Sequence, residues 1–424
     1  MKLAERHIIK KGHKFWAEID ELSWQSKNLY NAANYIIRQN FIYGHGYLTY
    51  NQMDSLMKQT PQYKALPAKV SQQVLRGLEK NWQSFFRGLS EYKENSEKFL
   101  GKPKIPGYKD TEKGRNLLVY TIQAMSKVSL RKGLIKLSKT TISFPTRVEK
   151  SIAEVRIVPK CDCYVIEVIY EATEQFLKPS LGARSLAPCE GAGSHRNNKI
   201  AAIDLGVDNL MAVTSNQPGF IPLLINGKPL KSLNQFYNKR RSFLQSLLKG
   251  NRQSSQKIRR LTRCRNQKVD DYLHKASCYL VNLLIAEEIT TLVIGYNPGW
   301  KQEIELGKVN NQKFVTIPHG RLIEMITYKC QKEGIKVIIT EESYTSVSNF
   351  LNLDPLPVYG EETGKPIFTG KRIKRGLYKT DQGFLVQADV IGSYNILRKA
   401  FPNVFNRYGI ERCVVHPRRI NLSK

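Results

Sequence analysis

Ala201-Ala-Ile-Asp-Leu-Gly-Val-Asp-Asn-Leu-Met-Ala-Val-Thr214 is the stretch whose reading decides the fold. A short apolar run delivers Asp204 at its end, Gly206 permits a tight backbone, and a second apolar run, 210–213, follows at once. The pattern reads as two neighbouring strands of a buried sheet with a carboxylate at their junction. A carboxylate there suits a hard cation such as Mg2+, which takes one or two carboxylates together with phosphate oxygens. The same pattern also fits an Asp that only solvates a turn.

Downstream, a third strand is expected near 220–225 and a basic helical region over 231–286. Between Lys231 and Lys275 stand thirteen basic residues and two acidic ones, Asp270 and Asp271. That imbalance exceeds what solubility requires and points to phosphate contact, with Lys239, Arg240, Arg259, Arg260 and Arg263 as candidates. A buried strand over 291–294, an amphipathic helix over 319–333 and a strand over 335–340 follow. The last of these ends in Glu341-Glu342. A turn-rich segment, 347–387, precedes a final helix opened by Asp389. The order is β-β-β-α-β-α-β-α, with acids at a first strand end (Asp204), a later strand end (Glu342) and a helix start (Asp389). Singly, Asp389 also reads as a helix N-cap and the glutamate pair as solvated strand-end charge. Together, in this order on a basic chain, they describe an RNase H-like nuclease fold with three carboxylates converging on metal.

Upstream the pattern differs. Residues 1–20 carry a strand, and 21–100 turn helical. Val74, Leu78, Trp82, Phe85 and Leu89 form one apolar stripe, and an earlier helix over 22–41 turns Leu29, Ala33 and Ile36 inward. Its other face, expected to be exposed, carries Lys27, Asn31, Asn34, Arg38 and Gln39. After the Pro/Gly break at 102–109, strand patterns recur at 117–121, 133–137, 142–144, 153–158 and 164–170. The expectation is an α+β multidomain chain: a β-barrel from 1–20 and 101–180, a helical insert over 21–100, and a small-residue linker over 181–198. The α/β nuclease domain then takes 199–346 and 388–424, with a small insert over 347–387.

Composition narrows the function class. With 424 residues, 41% hydrophobic, the chain has room for two to four packed domains. The formal charge of +31, from 67 basic and 36 acidic residues, calls for a polyanionic partner, and nucleic acid fits best. No apolar run reaches the roughly 18–20 residues of a membrane span, and the N-terminus has no signal-peptide core, so a cytoplasmic protein is expected. Seven cysteines at irregular spacing, without a Cys-x-x-Cys, argue for reduced thiols and against a disulfide framework or a zinc site.

Three tracts carry a resemblance. Asp204-Leu-Gly-Val-Asp-Asn-Leu, Tyr344-Thr-Ser346 after a Glu-rich strand end, and Asp389-Val-Ile-Gly-Ser-Tyr-Asn-Ile396 resemble the TnpB family of transposon-encoded, RNA-guided nucleases, ancestral to compact type V CRISPR effectors. The tracts at 266–275 and 63–73 look like the same family. The resemblance implies a wedge-type barrel bearing a helical recognition insert, then a RuvC-like domain. It implies a guide RNA, a double-stranded DNA target cut beside a short flanking motif, and two Mg2+ ions on Asp204, Glu342 and Asp389. Lys27, Asn31, Arg38, Gln72, Gln73 and Arg76 are candidates for contacts to that motif. A type V effector of the same lineage, or an RNA-independent transposase or resolvase, is the alternative.

Two departures matter. The family's usual strand-end Glu falls at Gly295 here, and the acid is expected at Glu342 instead, with neighbouring Glu341 open as the ligand. No Cys occurs between Gln331 and Glu411, so no structural zinc is expected in the insert. That segment is expected to meet nucleic acid through Lys371, Arg372, Lys374 and Arg375.

Overall fold

The computed structural model describes residues 2–149, 151–171, 199–250, 252–297, 317–358, 366–374, 376–405 and 413–422. The chain divides into two compact units, Met1–Glu174 and Gln175–Lys424. The expected linker over 181–198 lies outside the described residues.

The first unit opens with β1 (Lys2–Lys10) and continues through α1 (Trp16–Ile42), α2 (Tyr50–Met57), α3 (Pro61–Lys64) and α4 (Ala68–Glu94). Then come β2 (Leu118–Thr121), α5 (Lys127–Arg131), β3 (Leu134–Lys136), β4 (Ser143–Pro145), β5 (Ile152–Lys160) and β6 (Cys163–Glu171). A two-residue turn makes β5 and β6 a hairpin, and β1 pairs antiparallel with β6 along its whole length. The helices therefore enter the chain between the first two strands, and α4 buries Val70, Val74, Leu78 and Trp82 as its periodicity requires.

The closed barrel expected here is not made by the ladders among the described residues. The sheet is open, in the order β1-β6-β5-β2, and β3 pairs only with β4 in a separate ribbon. A Met125–Leu137 bridge and Thr146 and Arg147 contacts to the Glu5 carboxylate connect that ribbon to the rest. β4 ends at Pro145, which has no N–H to extend a ladder.

A second expectation is corrected in α1. Its polar face is not exposed. Lys27 is 2% and Asn34 0% exposed, because the chain after the Pro/Gly break runs along that face. Lys27 Nζ donates to the Thr111 carbonyl (2.6 Å), Asn31 to Lys109 (2.9 Å), Asn34 to Pro106 (3.0 Å) and Arg38 to Pro106 (2.8 Å).

The second unit holds a six-stranded mixed sheet. Its strands are β7 (Ile200–Leu205), β8 (Asn209–Ser215), β9 (Leu223–Asn226), and, after helices α6 (Lys228–Ser246) and α7 (Gln256–Ala286), β10 (Thr291–Gly295). α8 (His319–Lys332) leads into β11 (Lys336–Thr340). A small sheet, β12 (Lys371–Lys374), β13 (Leu377–Lys379) and β14 (Leu385–Gln387), precedes α9 (Ala388–Ala400) and β15 (Arg418–Ile420). The large sheet runs β11-β10-β7-β8-β9-β15. β7, β8 and β9 alternate in direction, while β10 lies parallel to β7 and β11 parallel to β10. The terminal strand β15, beside β9, has no counterpart in the sequence reading, being three residues long with two of them arginines.

Helices cover both faces, which explains the near-continuous apolar runs of β7 and β8. Ala201, Ile203 and Leu205 face a core with Leu273 and Leu280 of α7 and Leu322 and Ile326 of α8. Ile200 and Ala202 face the other core, with Val390, Tyr394 and Leu397 of α9. Alternation along β7 thus sends Asp204 to the α9 face.

Candidate metal centre

Four chain segments meet where β7 ends. β10 runs parallel to β7 with Ile294 opposite Ile203, so Gly295 comes level with Asp204. β11 pairs Thr340 with Gly295, and Glu342 lies two residues beyond. α9 crosses this edge with Asp389 in its first turn and Gly392 one turn later. Ser393 pins the helix to the sheet, through the Ala202 carbonyl (3.0 Å) and the Thr214 hydroxyl (2.9 Å).

Two glycines make the approach possible. A Cβ on Gly392 would stand 2.6 Å from Asp204 Oδ2, so only glycine lets the helix backbone close over that carboxyl. A Cβ on Gly295 would stand 3.1 Å from Glu342 Oε2 and 2.4 Å from the Ile396 side chain. The Glu342 carboxylate therefore fills the space that a side chain on residue 295 would otherwise enter.

The electrostatics match the geometry. Burial raises the Asp204 carboxyl well above the usual range, and the Asp389 and then the Glu342 carboxylates push it further, with Arg372 opposing. Burial alone raises Glu342 to about 7. Asp389 accepts from Asn209 Nδ2 (2.7 Å) and lies 3.9 Å from the Arg372 guanidinium. Among the described residues, no three His, Cys, Asp or Glu side chains are grouped tightly enough to hold a metal ion as they stand.

The two adjacent glutamates part company. Glu341 ion-pairs with the buried Lys399 and accepts from the Ser343 N–H (2.7 Å), while the Glu342 backbone N–H is held by Asn297 Oδ1 (3.0 Å). Lys399 also donates to the Ser343 (2.8 Å) and Pro357 (3.1 Å) carbonyls, and burial lowers its ammonium to about 8. Tyr344 follows at φ 61°, a left-handed turn unusual for an aromatic residue. Thr345 Oγ1 closes that turn on the Glu342 carbonyl (2.9 Å), and Asn395 Nδ2 reaches the Thr345 (2.9 Å) and Ser348 (2.8 Å) carbonyls. The Tyr-Thr-Ser motif thus acts by fixing the backbone that carries Glu342.

The insert is organised by the buried Asp354, read in the sequence only as part of a turn. Its carboxylate accepts from the Asn349 N–H (3.0 Å), the Thr369 N–H (2.8 Å) and the Thr369 hydroxyl (2.9 Å). On β12, Lys371, Arg372 and Lys374 are exposed, whereas Arg375 lies outside the described residues. Lys239, Arg240, Arg259 and Arg260 are exposed on α6 and α7, and Arg263 is half-buried. In the first unit, Gln73 and Arg76 line a polar groove with Thr49, Tyr50 and Lys80, the Arg76 guanidinium 4.8 Å above the Tyr50 ring. Gln72 bonds the Tyr63 hydroxyl. Asn209, Asn297 and Gly392 escape sequence reading because only their tertiary neighbours give them roles.

Two family models match the chain: OrfB_IS605, a probable transposase, over residues 183–301, and a Cas12f1-like TNB domain over 319–396. The TnpB-like protein ORF457 of Acidianus two-tailed virus is 24% identical over 415 residues, covering 90% of this chain and 83% of that protein. Among solved structures, a Cas12f1-sgRNA-target DNA complex is similar over 93% of this chain and 98% of that one, at 15% identity and a TM-score of 0.35. An AacC2c1-sgRNA-extended non-target DNA complex is similar over 91% and 65%, at 7% identity and a TM-score of 0.45. By the family models and this relative, the chain resembles transposase-related proteins and, over 319–396, a domain of Cas12f1-like proteins. Over these stretches the chain is similar to TnpB-like proteins. No helix among the described residues is long and apolar enough to cross a membrane.

Proposed function

We propose that this chain is an RNA-guided DNA endonuclease, with its second unit an RNase H-like, RuvC-type nuclease domain. The sheet supports this reading. Three antiparallel strands, β7 to β9, are extended on the β7 side by two parallel ones, with acids at the β7 end, beyond β11 and at the start of α9. The observation that carries it is Asp204: a fully buried carboxyl whose hold on a proton is raised by burial first and then by the Asp389 and Glu342 carboxylates. Structural carboxylates are ordinarily paired with donors or cations, and like-charge burial of this kind marks functional sites.

The donor set fits a hard divalent cation. It consists of carboxylate oxygens, and Asn209 Oδ1 beside Asp389 is buried with no hydrogen-bond partner among the described residues. Two Mg2+ ions held by Asp204, Glu342 and Asp389 would supply an activated water and a clamp on the leaving oxygen. The residues themselves do the positioning. Asn209 orients Asp389, Asn297 and Thr345 fix the Glu342 backbone, and Gly392 gives the Asp204 carboxyl room. Arg372, in reach of Asp389, offers a cation to the scissile phosphate.

Base pairing to a guide would read the target, with the protein reading heteroduplex shape and a short flanking motif. The exposed Lys239, Arg240, Arg259 and Arg260 suit the guide backbone, Lys371, Arg372 and Lys374 the target strand, and the Gln73–Arg76 groove the flanking motif. The test is to sequence the RNA that co-purifies with the full chain and assay Mg2+-dependent plasmid cleavage with it. One defined RNA, with cleavage lost in Asp204→Ala and Glu342→Ala and kept in Glu341→Ala, is expected. Cleavage that needs no RNA would favour a transposase- or resolvase-type activity, and cleavage retained in Asp204→Ala would overturn the acid assignment.

A further inference from the structure

Helix α6 is attached to the second unit by one face only. It buries Leu230, Asn234 and Leu244. It meets α7 through the Tyr237 and Thr262 hydroxyls (3.0 Å) and through Arg265, which donates to Asn234 Oδ1 (2.7 Å). A flank of the helix about a quarter-turn from that face carries Phe236, Arg240, Phe243 and Leu247, at spacings of four, three and four residues that place them in one stripe. Phe236 is 64%, Phe243 50% and Leu247 60% exposed. The Arg240 guanidinium lies 5.1 Å from the Phe243 ring centre, a cation stacked within an aromatic row.

Among the described residues no packing covers these two bulky rings, and an apolar stripe left open in this way suits a partner. Charge says which kind. From Lys228 to Val269 the chain has thirteen basic residues and no acidic one, so the partner is a polyanion. Flat rings interleaved with guanidinium groups match nucleobases, which have a π-face whatever their sequence, joined by phosphates. A duplex keeps those faces stacked inside itself, whereas unpaired RNA in loops and ends can splay them out. Phe236 and Phe243 are about 10 Å apart along the helix axis, which is room for roughly three stacked bases.

We propose that this face of α6 is a stacking platform for unpaired nucleotides of the guide RNA, with Phe236 and Phe243 taking base faces and Arg240 and Lys239 the backbone. The identity of the strand rests on the RNA-guided reading above; the stacking chemistry does not. Stacking and phosphate contact separate by salt. Each phosphate contact steepens the fall of affinity with salt, whereas stacking releases no counterions.

The experiment measures binding of the RNA-free full chain to a labelled, unstructured single-stranded oligoribonucleotide and to the same sequence as an RNA duplex, over a salt series. Phe236→Ala/Phe243→Ala is expected to weaken single-strand binding by about tenfold or more at every salt concentration, leaving the salt slope and duplex binding unchanged. Phe236→Trp/Phe243→Trp is expected to retain the affinity, and Arg240→Gln to lower the salt slope by about one. Because these side chains are exposed, unchanged thermal melting is expected of all three. Ultraviolet irradiation of the chain carrying its co-purified RNA should leave ribonucleotide adducts on Phe236 or Phe243. Unchanged single-strand affinity in the alanine variant, equal loss for duplex, or a change in the oligomeric state of the RNA-free protein would overturn the proposal. None of these readouts needs DNA cleavage, so a failed nuclease assay leaves them standing.

Discussion

The polar face of α1 and the acids at the end of β7 bury polar groups in opposite ways. Along α1, buried groups find partners of complementary chemistry. Lys27 and Asn34 donate to backbone carbonyls at 111 and 106, and Asn34 Oδ1 takes the Trp82 indole N–H (3.0 Å). At the β7 end, Asp204 is buried with Asp389 and Glu342 as its main charged neighbours. Paired burial ties a loop to a helix and stabilises the fold. Like-charge burial costs stability and is retained for chemistry. A polar residue at helical spacing is therefore not a binding residue until the path of the rest of the chain is known.

Substitutions can break this comparison. The largest effect is expected at the acids: Glu342→Ala should reduce guided cleavage about a thousandfold or more, as loss of a metal ligand would. Glu341→Gln should stay within about tenfold of wild type in the same assay while lowering the melting temperature, because it leaves Lys399 short of its anion. If the two variants lose cleavage equally, the distinction between the glutamates is wrong. Next, Asn34→Ala should destabilise the protein by about 1–3 kcal/mol in urea titrations, since it leaves the buried Trp82 N–H without its acceptor.

A pH effect marks the acids. Glu342 titrates near 7 in the folded chain and near 4.5 when unfolded, so the folded state holds a proton that the unfolded state has released. Stability without metal must then fall as pH rises from about 4.5 to 7 and stay low above it. Glu342→Gln should recover roughly 3 kcal/mol at pH 8 and almost nothing at pH 4, read by thermal melting in EDTA. Added Mg2+ should raise the wild-type melting temperature more than that of the variant. The smallest effect is expected at Arg38, which bonds the Pro106 carbonyl and stacks on Tyr108. Arg38→Gln should cost about 1 kcal/mol and leave the salt slope of RNA binding unchanged.

Much of the second unit was legible as sequence. The apolar runs of β7, β8, β10 and β11, the stripe of α8 and the placement of Asp204, Glu342 and Asp389 all follow from local periodicity, since side-chain direction repeats every 2 or 3.6 residues. Against the family it resembles, the missing acid at Gly295 was equally plain, and the Glu341–Glu342 pair suggested where it had gone. Less legible were the groups that act on those acids. Asn209, Gly392 and Asn297 are ordinary residues in any local window, and β15 is too short and too charged to announce itself. The open sheet of the first unit was not legible either, because strand pairing is decided between segments distant in the chain.

The sequence by itself determined the element types, the order of the acids along the chain and the need for a polyanionic partner, because periodicity, charge and residue order are local or additive properties. Only the tertiary structure decided which glutamate faces the other acids and which polar face is free. Asn31 is bonded to a residue 78 positions away and Asn209 to one 180 away, and no local pattern carries such distances. Chain packing covers the α1 face with residues 106–111 and leaves the aromatic stripe of α6 open to a partner.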